Sequence, residues 1–315
     1  MDEKIIFTTC TASYLAQAKS LGDSILNTNP GYKLCIGLVD KIDGRFNRDF
    51  YLPHIIVEVE MINVPAFDDM KNRYSLLELS CALKPWFALH FLQKFSAKQI
   101  IYFDTDIQVT SSLQFLEEEL LNHSVLLTPH ILSPFPPDGK RPHETVMLKT
   151  GMYNAGFFAV KNDTNGNAFL NWWKNILVDY CYEDNKRGLS SDQSWLNFAP
   201  IFFKDVGIIK HPGCNVAYWN LHERSIEEKE NSYIINKEFP LIFFHFSGYS
   251  INKPELISKH QDRFSMNDKL VVKKLFQLYE KALITNNHPI MLQLDCYYTK
   301  QKGLLQKLGI KKNKK

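Results

Sequence analysis

The sequence has 315 residues, enough for one large α/β domain with additions or for two small domains. A hydrophobic share of 45%, with 22 phenylalanines, 14 tyrosines and 5 tryptophans, supplies a sizeable core and excludes disorder for most of the length. The net charge of +3 comes from the tail 300–315, which carries seven lysines and no acid. The rest of the chain therefore carries −4 and does not resemble a general nucleic-acid binder.

The sequence also bears on the compartment. It has no run of 18 apolar residues, and it opens with acids before a short apolar run, so we expect neither a membrane-spanning helix nor a signal peptide. The six cysteines are scattered and form no CxxC pair, which predicts reduced, buried thiols in a cytoplasmic protein. The tail 300–315 is interpreted either as a solvated end or as an amphipathic segment on the anionic inner face of a membrane.

The first half of the chain alternates strand-like and helix-like segments. Apolar residues from Leu15 to Ile25 recur at helical spacing, and an Asn-Pro-Gly sequence at 29–31 ends that helix. Pro85 interrupts a later helical stretch and suits the first turn of a new helix. This alternation predicts βαβ units and a mostly parallel sheet. The predicted strands are 4–9, 32–40 and 100–103, and the predicted helices are 12–31 and 72–95.

The second half has a different pattern, with shorter strands and a proline-rich loop at 130–145. Ser190 or Ser191 is expected to cap a helix, and Trp172 and Trp173 are expected in the core. We find no internal repeat, and expect one main domain at 1–265, a helical extension at 266–299 and the tail at 300–315. The predicted strands are 124–130, 152–160, 206–213, 214–221 and 238–248, and the predicted helices are 167–181 and 268–283.

Two carboxylates, Asp104 and Asp106, follow the apolar strand 100–103. Ligands of open α/β sheets bind at the carboxyl ends of strands, and residues two apart in an extended chain point to one face. Carboxylates held so close repel unless a metal neutralises them or one is protonated. Mg²⁺ or Mn²⁺, which suit oxygen ligands and substrate phosphates, are the natural occupants. The alternative is a turn with two solvated acids.

A second apolar run starts at Pro240, ends in His245 and is followed by Gly248 and Lys253. A single histidine in such a run is often a satisfied core residue. At a strand end, however, an imidazole beside carboxylates suits Mn²⁺ or Zn²⁺, and a lysine supplies a point charge for a diphosphate.

These motifs together resemble those of a GT-A-fold glycosyltransferase, with glycosyltransferase family 8 and related bacterial polysaccharide enzymes as the nearest pattern. The resemblance covers residues 5–254 in the family's order. It rests on IIFTTCTASYLAQAKSLGDSI, ALKPW before IIYFDTDIQV, YNAGFFAV, SDQSWLN and HFSGYSINKP. The expected fold is therefore α/β of the GT-A type, a Rossmann-like and mostly parallel central sheet flanked by helices, with a C-terminal helical extension.

The resemblance also implies a reaction and its residues. The donor would be a nucleotide sugar, with a UDP-sugar favoured, and the acceptor a glycan or a lipid-linked molecule. Mn²⁺ or Mg²⁺ would be bound by Asp104, Asp106 and His245. Asp192 and Gln193 would act at the reacting sugar, with retention favoured because Gln193 would lie below the sugar; a helix start is their alternative reading. The implied donor-binding residues are Thr8, Thr9, Tyr14, Lys84, Asp104, Asn154, Ala155, Gly156, Gly248 and Lys253.

The sequence departs from the family pattern at two places. The first strand ends in Thr8-Thr9-Cys10 where the family carries acids, and four residues rather than two separate Gly248 from the Lys-Pro pair. On the acceptor side, loop 130–145 is interpreted as a pocket wall or an inert excursion. The same choice, between acceptor contact and a structural role, stays open for Trp195, His211, Asn215, Tyr218 and Trp219.

Two other functions fit parts of the pattern. FDTDIQV also resembles the motif of haloacid-dehalogenase-type phosphatases, in which Asp104 would be the nucleophile and Asp106 an acid. That motif normally opens its domain, whereas about 100 residues precede it here. The other alternative is a GT-A domain that binds a nucleotide sugar or glycan without catalysis.

Overall fold

The computed structural model describes residues 3–230 and 232–299. Its strands are β1 (Lys4–Cys10), β2 (Tyr32–Leu38), β3 (Ile55–Glu58), β4 (Gln99–Phe103), β5 (Ile107–Val109), β6 (Val125–Pro129), β7 (Tyr153–Lys161), β8 (Glu183–Asp184), β9 (Leu189–Ser190), β10 (Val206–Ile208), β11 (Ile226–Lys229), β12 (Ser232–Ile235), β13 (Phe239–Pro240) and β14 (Phe243–His245). Its α-helices are α1 (Leu15–Thr28), α2 (Phe67–Arg73), α3 (Leu76–Ala82), α4 (Lys84–Lys94), α5 (Gln114–Asn122), α6 (Glu144–Thr150), α7 (Thr164–Tyr180), α8 (Ala199–Phe202), α9 (Leu270–Thr285) and α10 (His288–Met291).

The main sheet has seven strands in the order β10-β6-β7-β4-β1-β2-β3. Every neighbouring pair is parallel except the two that involve β7, which is antiparallel to both β4 and β6. The expected mostly parallel α/β sheet is confirmed. The reversal of β7 places its first residues beside the carboxyl end of β4, because Phe103 pairs with Phe157.

The sheet is covered on both faces, as its continuous apolar strands require. Alternate residues of β1 divide between the layers: Phe7 packs with Phe91 and Trp173 from α4 and α7, and Ile6 packs with α1 and α5. Trp173 is fully buried, so the core position predicted for it is confirmed. The six cysteines are free thiols, and all but Cys81 are buried.

A smaller sheet lies at the end of β4. There β5 pairs antiparallel with β14, and Ile107 lies opposite His245. Behind β14, helix α9 packs its buried face on Phe244 and Phe246. The chain after α9 returns to the main domain, where the Asn286 amide donates to Ser20 Oγ at 3.0 Å and the Tyr297 amide to Asp40 Oδ1 at 2.8 Å.

Several predicted elements differ from the structure. The stretch 214–221 forms turns with one isolated bridge, Val216 to Phe244, rather than a strand, because its backbone bends around buried polar side chains. Neither Ser190 nor Ser191 caps a helix: Ser190 ends β9, and Asp192 precedes a 3-10 helix, Gln193–Phe198, without a side-chain cap. The stretch 72–95 contains parts of three helices, and Pro85 lies in the first turn of α4 as predicted.

The loop predicted at 130–145 is shorter than expected, because α6 begins at Glu144. Among the helices of residues 3–230 and 232–299, none is long and apolar enough to cross a membrane. The membrane contact predicted for the tail falls on residues 300–315, which lie outside the described part of the chain. The boundary predicted at residue 265 stays a prediction.

Candidate active site

The acidic pair follows β4 directly and lies in a turn. The Ile107 amide donates to the Asp104 carbonyl at 3.2 Å, so the turn, rather than an extended chain as predicted, brings the two carboxylates together. The side chain of Thr105 is buried, and the two carboxylates are each 33% exposed. Pairing of β5 with β14 then brings His245 to the same place.

Asp104, Asp106 and His245 offer ligand atoms that all lie within 4.8 Å of one another. His245 Nε2 lies 3.0 Å from Asp106 Oδ1. Burial alone would lower the pKa of His245, but the Asp106 and Asp104 carboxylates raise it. Burial would likewise raise the pKa of Asp106, and His245 lowers it. The arrangement therefore pairs charges that, taken singly, would be costly in this environment.

The donor set fits a divalent cation. Two carboxylates and one imidazole suit Mn²⁺, and the carboxylates suit Mg²⁺. The backbone beside them supplies the room, because a Cβ at Gly156 would stand 2.9 Å from Asp104 Oδ2 and 2.4 Å from His245 Cε1. The residues that would hold the ion are thus already gathered around a position that only glycine leaves open.

A buried cation, Lys84, stands behind the acidic pair. Its Nζ lies 2.9 Å from Asp192 Oδ2 and 3.3 Å from Asp104 Oδ1, and donates to the Ala155 carbonyl at 3.0 Å. Burial would lower the pKa of Lys84, but the Asp104 and Asp192 carboxylates raise it well above its ordinary value. Burial raises the pKa of Asp192, and Lys84 opposes that change. Lys84 therefore links the predicted metal ligands to the predicted catalytic segment.

Asn154 and Gln193 meet at the start of β7. Gln193 Oε1 accepts from the Asn154 side-chain amide and from the Ala155 backbone amide, both at 3.1 Å. Gln193 Nε2 donates to the Thr150 carbonyl at 2.7 Å. These bonds hold the Asp-Gln segment against the Asn-Ala-Gly segment, as the resemblance implied for two parts of one site.

The predicted nucleotide residues lie along β1 and just beyond it. Thr8 is fully buried, and Thr9 Oγ1 lies 3.3 Å from the Tyr102 hydroxyl, which in turn donates to Asp104 Oδ1 at 2.6 Å. Tyr14 is 49% exposed, and its pKa is raised by burial and by the charge of the Asp106 carboxylate.

Two further predicted donor-binding residues, Gly248 and Lys253, follow His245 in the chain. Gly248 has φ of +73° and ends a turn in which a Cβ would stand 2.4 Å from Ser258 Oγ. Lys253 is exposed, and its backbone amide donates to the Ser250 carbonyl at 3.0 Å. The roles of Gly248 and Lys253 at the donor stay predictions.

Sequence reasoning missed a buried polar layer behind the predicted metal ligands. Asn215 is fully buried and bonded to Asn154 and His245, which favours the structural role over the acceptor contact considered for it. Trp219 is 3% exposed and packs edge-on against His130 and His245, which makes it a core residue. His211 lies between Phe115 and Phe239. A signal was present in the asparagines of CNVAYWN, since asparagine tolerates the left-handed backbone that Asn215 adopts, with φ of +54°.

Comparison with known proteins gives relatives without an assigned activity. No protein-family model matches the chain. It is 30% identical to YfnF of Bacillus subtilis (strain 168) over 154 residues, which are 49% of this chain and 50% of YfnF. It is 28% identical to YfnD of the same organism over 198 residues, which are 62% of this chain and 61% of YfnD. Both relatives are described as uncharacterized, and the chain matches only half to three fifths of their length.

Comparison of folds is more specific. The structure of the glycosyltransferase GlyE from Streptococcus pneumoniae TIGR4 superimposes with a TM-score of 0.52 at 14% identity, over 100% of this chain and 66% of GlyE. The chain therefore has the GT-A fold, a mixed α/β fold with a mostly parallel central sheet flanked by helices.

Proposed function

We propose that this protein is a metal-dependent glycosyltransferase, which moves a sugar from a nucleotide sugar, a UDP-sugar being favoured, to a glycan or lipid-linked acceptor. The observation that carries the proposal is the meeting of Asp104, Asp106 and His245 at the carboxyl edge of a GT-A sheet, with their ligand atoms within 4.8 Å. In open α/β sheets this edge is where ligands bind. A cytoplasmic location, proposed with it, is supported by six free cysteines.

The proposed donor site divides between nucleotide and sugar. Thr9, which is linked to Asp104 through the Tyr102 hydroxyl, and the half-exposed Tyr14 would contact the nucleoside, while Thr8 is buried. A bound Mn²⁺ or Mg²⁺ would neutralise charge as it grows on the leaving diphosphate. Asn154 and Ala155 would line the sugar, and Gly156 would keep the space between sugar and ligands open.

Lys84 has a different proposed role from the direct donor contact that the resemblance implied. Its ammonium is committed to Asp104, Asp192 and the Ala155 carbonyl. From there it would hold the Asp104 carboxylate in place for the cation, and act on the diphosphate only through the electrostatic field of its charge.

Retention of configuration is the favoured stereochemical course. An inverting enzyme needs a carboxylate that takes the acceptor proton, and of the two residues implied at the reacting sugar only Asp192 carries one. Asp192 is 2% exposed and its carboxylate is 2.9 Å from Lys84 Nζ, a poor position from which to receive a proton from an incoming acceptor. Gln193, held by backbone groups on both ends of its amide, would instead present a fixed dipole beside the sugar.

Turnover tests the proposal. The protein is incubated with a panel of nucleotide sugars and Mn²⁺ or chelator, and release of the nucleoside diphosphate is followed, with proton NMR of the anomeric hydrogen for stereochemistry. We expect release from one donor, lost with chelator and in Asp106→Asn, and kept in the matched variant Asp68→Asn, whose side chain is 86% exposed. No release from any donor, together with hydrolysis of phosphate monoesters and a trapped phosphate on Asp104, would replace the proposal with the phosphatase reading.

A further inference from the structure

Asn215 lies directly behind His245, the proposed metal ligand. Its side-chain amide contacts both His245 and Asn154, which belongs to the proposed sugar site. Asn215 Oδ1 lies 3.2 Å from His245 Nδ1. Asn215 Nδ2 lies 3.1 Å from Asn154 Oδ1 and 2.9 Å from Thr128 Oγ1. The side chain is fully buried, so these are the contacts by which it acts.

The orientation of Asn154 follows from the backbone. The Gly156 amide, which can only donate, lies 3.1 Å from one end of the Asn154 side chain, so that end is the oxygen. The other end must donate, and it meets Gln193 Oε1 at 3.1 Å and His130 Nε2 at 3.3 Å. His130 Nδ1 faces the Met152 carbonyl at 3.1 Å and so carries the hydrogen, which leaves Nε2 free to accept. The contacts at both ends of the Asn154 side chain therefore give the same orientation of its amide.

The orientation of Asn215 follows from Asn154. An oxygen of Asn154 can only accept, so the end of Asn215 that meets it is the nitrogen, and the end that faces His245 is the oxygen. His245 Nδ1 must then carry a hydrogen and donate it. The remaining nitrogen, Nε2, points to the carboxylates of Asp104 and Asp106.

We propose that Asn215 is a positioning residue that fixes the tautomer and the ring orientation of His245, and that it couples this ligand through Asn154 to Gln193 on the sugar side. The inference rests on the proposed function only in taking His245 Nε2 as a metal ligand. A histidine ligand whose other nitrogen donates to a protein oxygen is held in the ligating tautomer, and loss of such a partner lowers metal affinity by about 10- to 100-fold.

Two measurements test the inference. In the first, Mn²⁺ affinity is measured by electron paramagnetic resonance for the wild type, for Asn215→Leu and for Thr128→Val. Thr128→Val removes the other partner of the Asn215 amide but leaves the chain from Gly156 to His245 intact. We expect Asn215→Leu to bind Mn²⁺ about 10- to 100-fold more weakly and Thr128→Val to bind within about threefold of the wild type. Equal affinity in a folded Asn215→Leu protein would overturn the inference.

The second measurement uses only the wild-type protein and so does not depend on whether a variant folds. Nitrogen-15 NMR of histidine-labelled wild-type protein reports which ring nitrogen of His245 carries a hydrogen, with and without Mg²⁺. We expect a protonated Nδ1 in both samples, and a bare Nδ1 would overturn the inference even if Asn215→Leu fails to fold. If the wild type binds no Mn²⁺ but shows the protonated Nδ1, the proposed function fails and the positioning role of Asn215 stands.

Discussion

At the scale of single residues, Gly156 is closely surrounded by side chains of the candidate site. A Cβ there would stand 2.4 Å from His245 Cε1, 2.7 Å from Asn154 Oδ1 and 2.9 Å from Asp104 Oδ2. Gly156→Ala must therefore displace residues of the proposed metal site and of the proposed sugar site. We expect it to lower the free energy of unfolding by about 1–3 kcal/mol and to weaken Mn²⁺ binding. Urea unfolding and Mn²⁺ titration measure the two effects.

Gly31→Ala is the matched control for this substitution. A Cβ at Gly31 would meet nothing within 4 Å, and its φ is not in the left-handed region. We expect Mn²⁺ affinity as in the wild type and a change in stability within about 0.5 kcal/mol. If both alanine variants bound Mn²⁺ equally well, the crowding around Gly156 would have no bearing on the site.

His130 is expected to make the stability of the folded protein depend on pH. It is 5% exposed, and burial lowers its pKa from 6.5 to about 4, the charge of His245 acting in the same direction. Below pH 6.5 His130 becomes protonated in the unfolded chain, whereas in the folded protein it stays neutral down to about pH 4. Stability is therefore lost as the pH falls through this window, by up to about 3 kcal/mol from this group.

His130→Gln tests this, because glutamine can donate to the Met152 carbonyl and accept from Asn154 without titrating in this range. Between about pH 6.5 and pH 4, the variant should lose up to about 3 kcal/mol less stability than the wild type in urea unfolding. Stability curves that run parallel for the two proteins across this window would show that His130 does not titrate with a depressed pKa.

At the scale of elements, α9 supports the short strand that carries His245. Phe276 is 3% exposed, and its ring lies 5.6 Å from Phe244 and 4.9 Å from Phe246, the residues on either side of the histidine. We expect Phe276→Ala to cost about 3–5 kcal/mol, as for a large aromatic removed from a packed core. Urea unfolding provides the measurement.

Leu278→Ala is the control on the same helix, since that side chain is 51% exposed. Its cost should stay within about 0.5 kcal/mol. A Phe276→Ala protein as stable as Leu278→Ala would mean that α9 does not anchor β14, and that the helix is an appendage to the domain.

At the scale of the whole molecule, the sequence predicted the sheet and its edge well. Apolar runs such as 100–103 predict buried strands, because a strand whose side chains are apolar on both faces must be covered on both faces of its sheet. The acidic pair was placed correctly at the end of β4, and the seven-stranded, mostly parallel arrangement agrees with the alternation of segments. The pattern failed at 214–221, where apolar residues suggested a strand and buried asparagine bonds produced turns.

Contacts between distant segments were the part that sequence could not provide. The reversal of β7, which sets Gly156 beside Asp104, depends on pairing across the sheet and leaves no local pattern. Asn215 and Asn154 are 61 positions apart in the sequence. A single asparagine predicts a turn as readily as a buried side chain that hydrogen-bonds to a distant segment. Lys84 was predicted to contact the donor. Its two carboxylate partners, Asp104 and Asp192, come from distant segments, so the sequence did not show that its charge is already paired.

The most direct test of the account is a thermal-unfolding screen of nucleotide sugars with Mn²⁺ or chelator. A ligand at 100 times its Kd stabilises the folded state by about 2.7 kcal/mol, which raises the Tm by several degrees. We predict such a rise for one nucleotide sugar with Mn²⁺ in the wild type and in Asp68→Asn, and none with chelator or in Asp106→Asn. A nucleotide-sugar shift that persists with chelator and in Asp106→Asn, or no shift with any nucleotide sugar, would contradict the account.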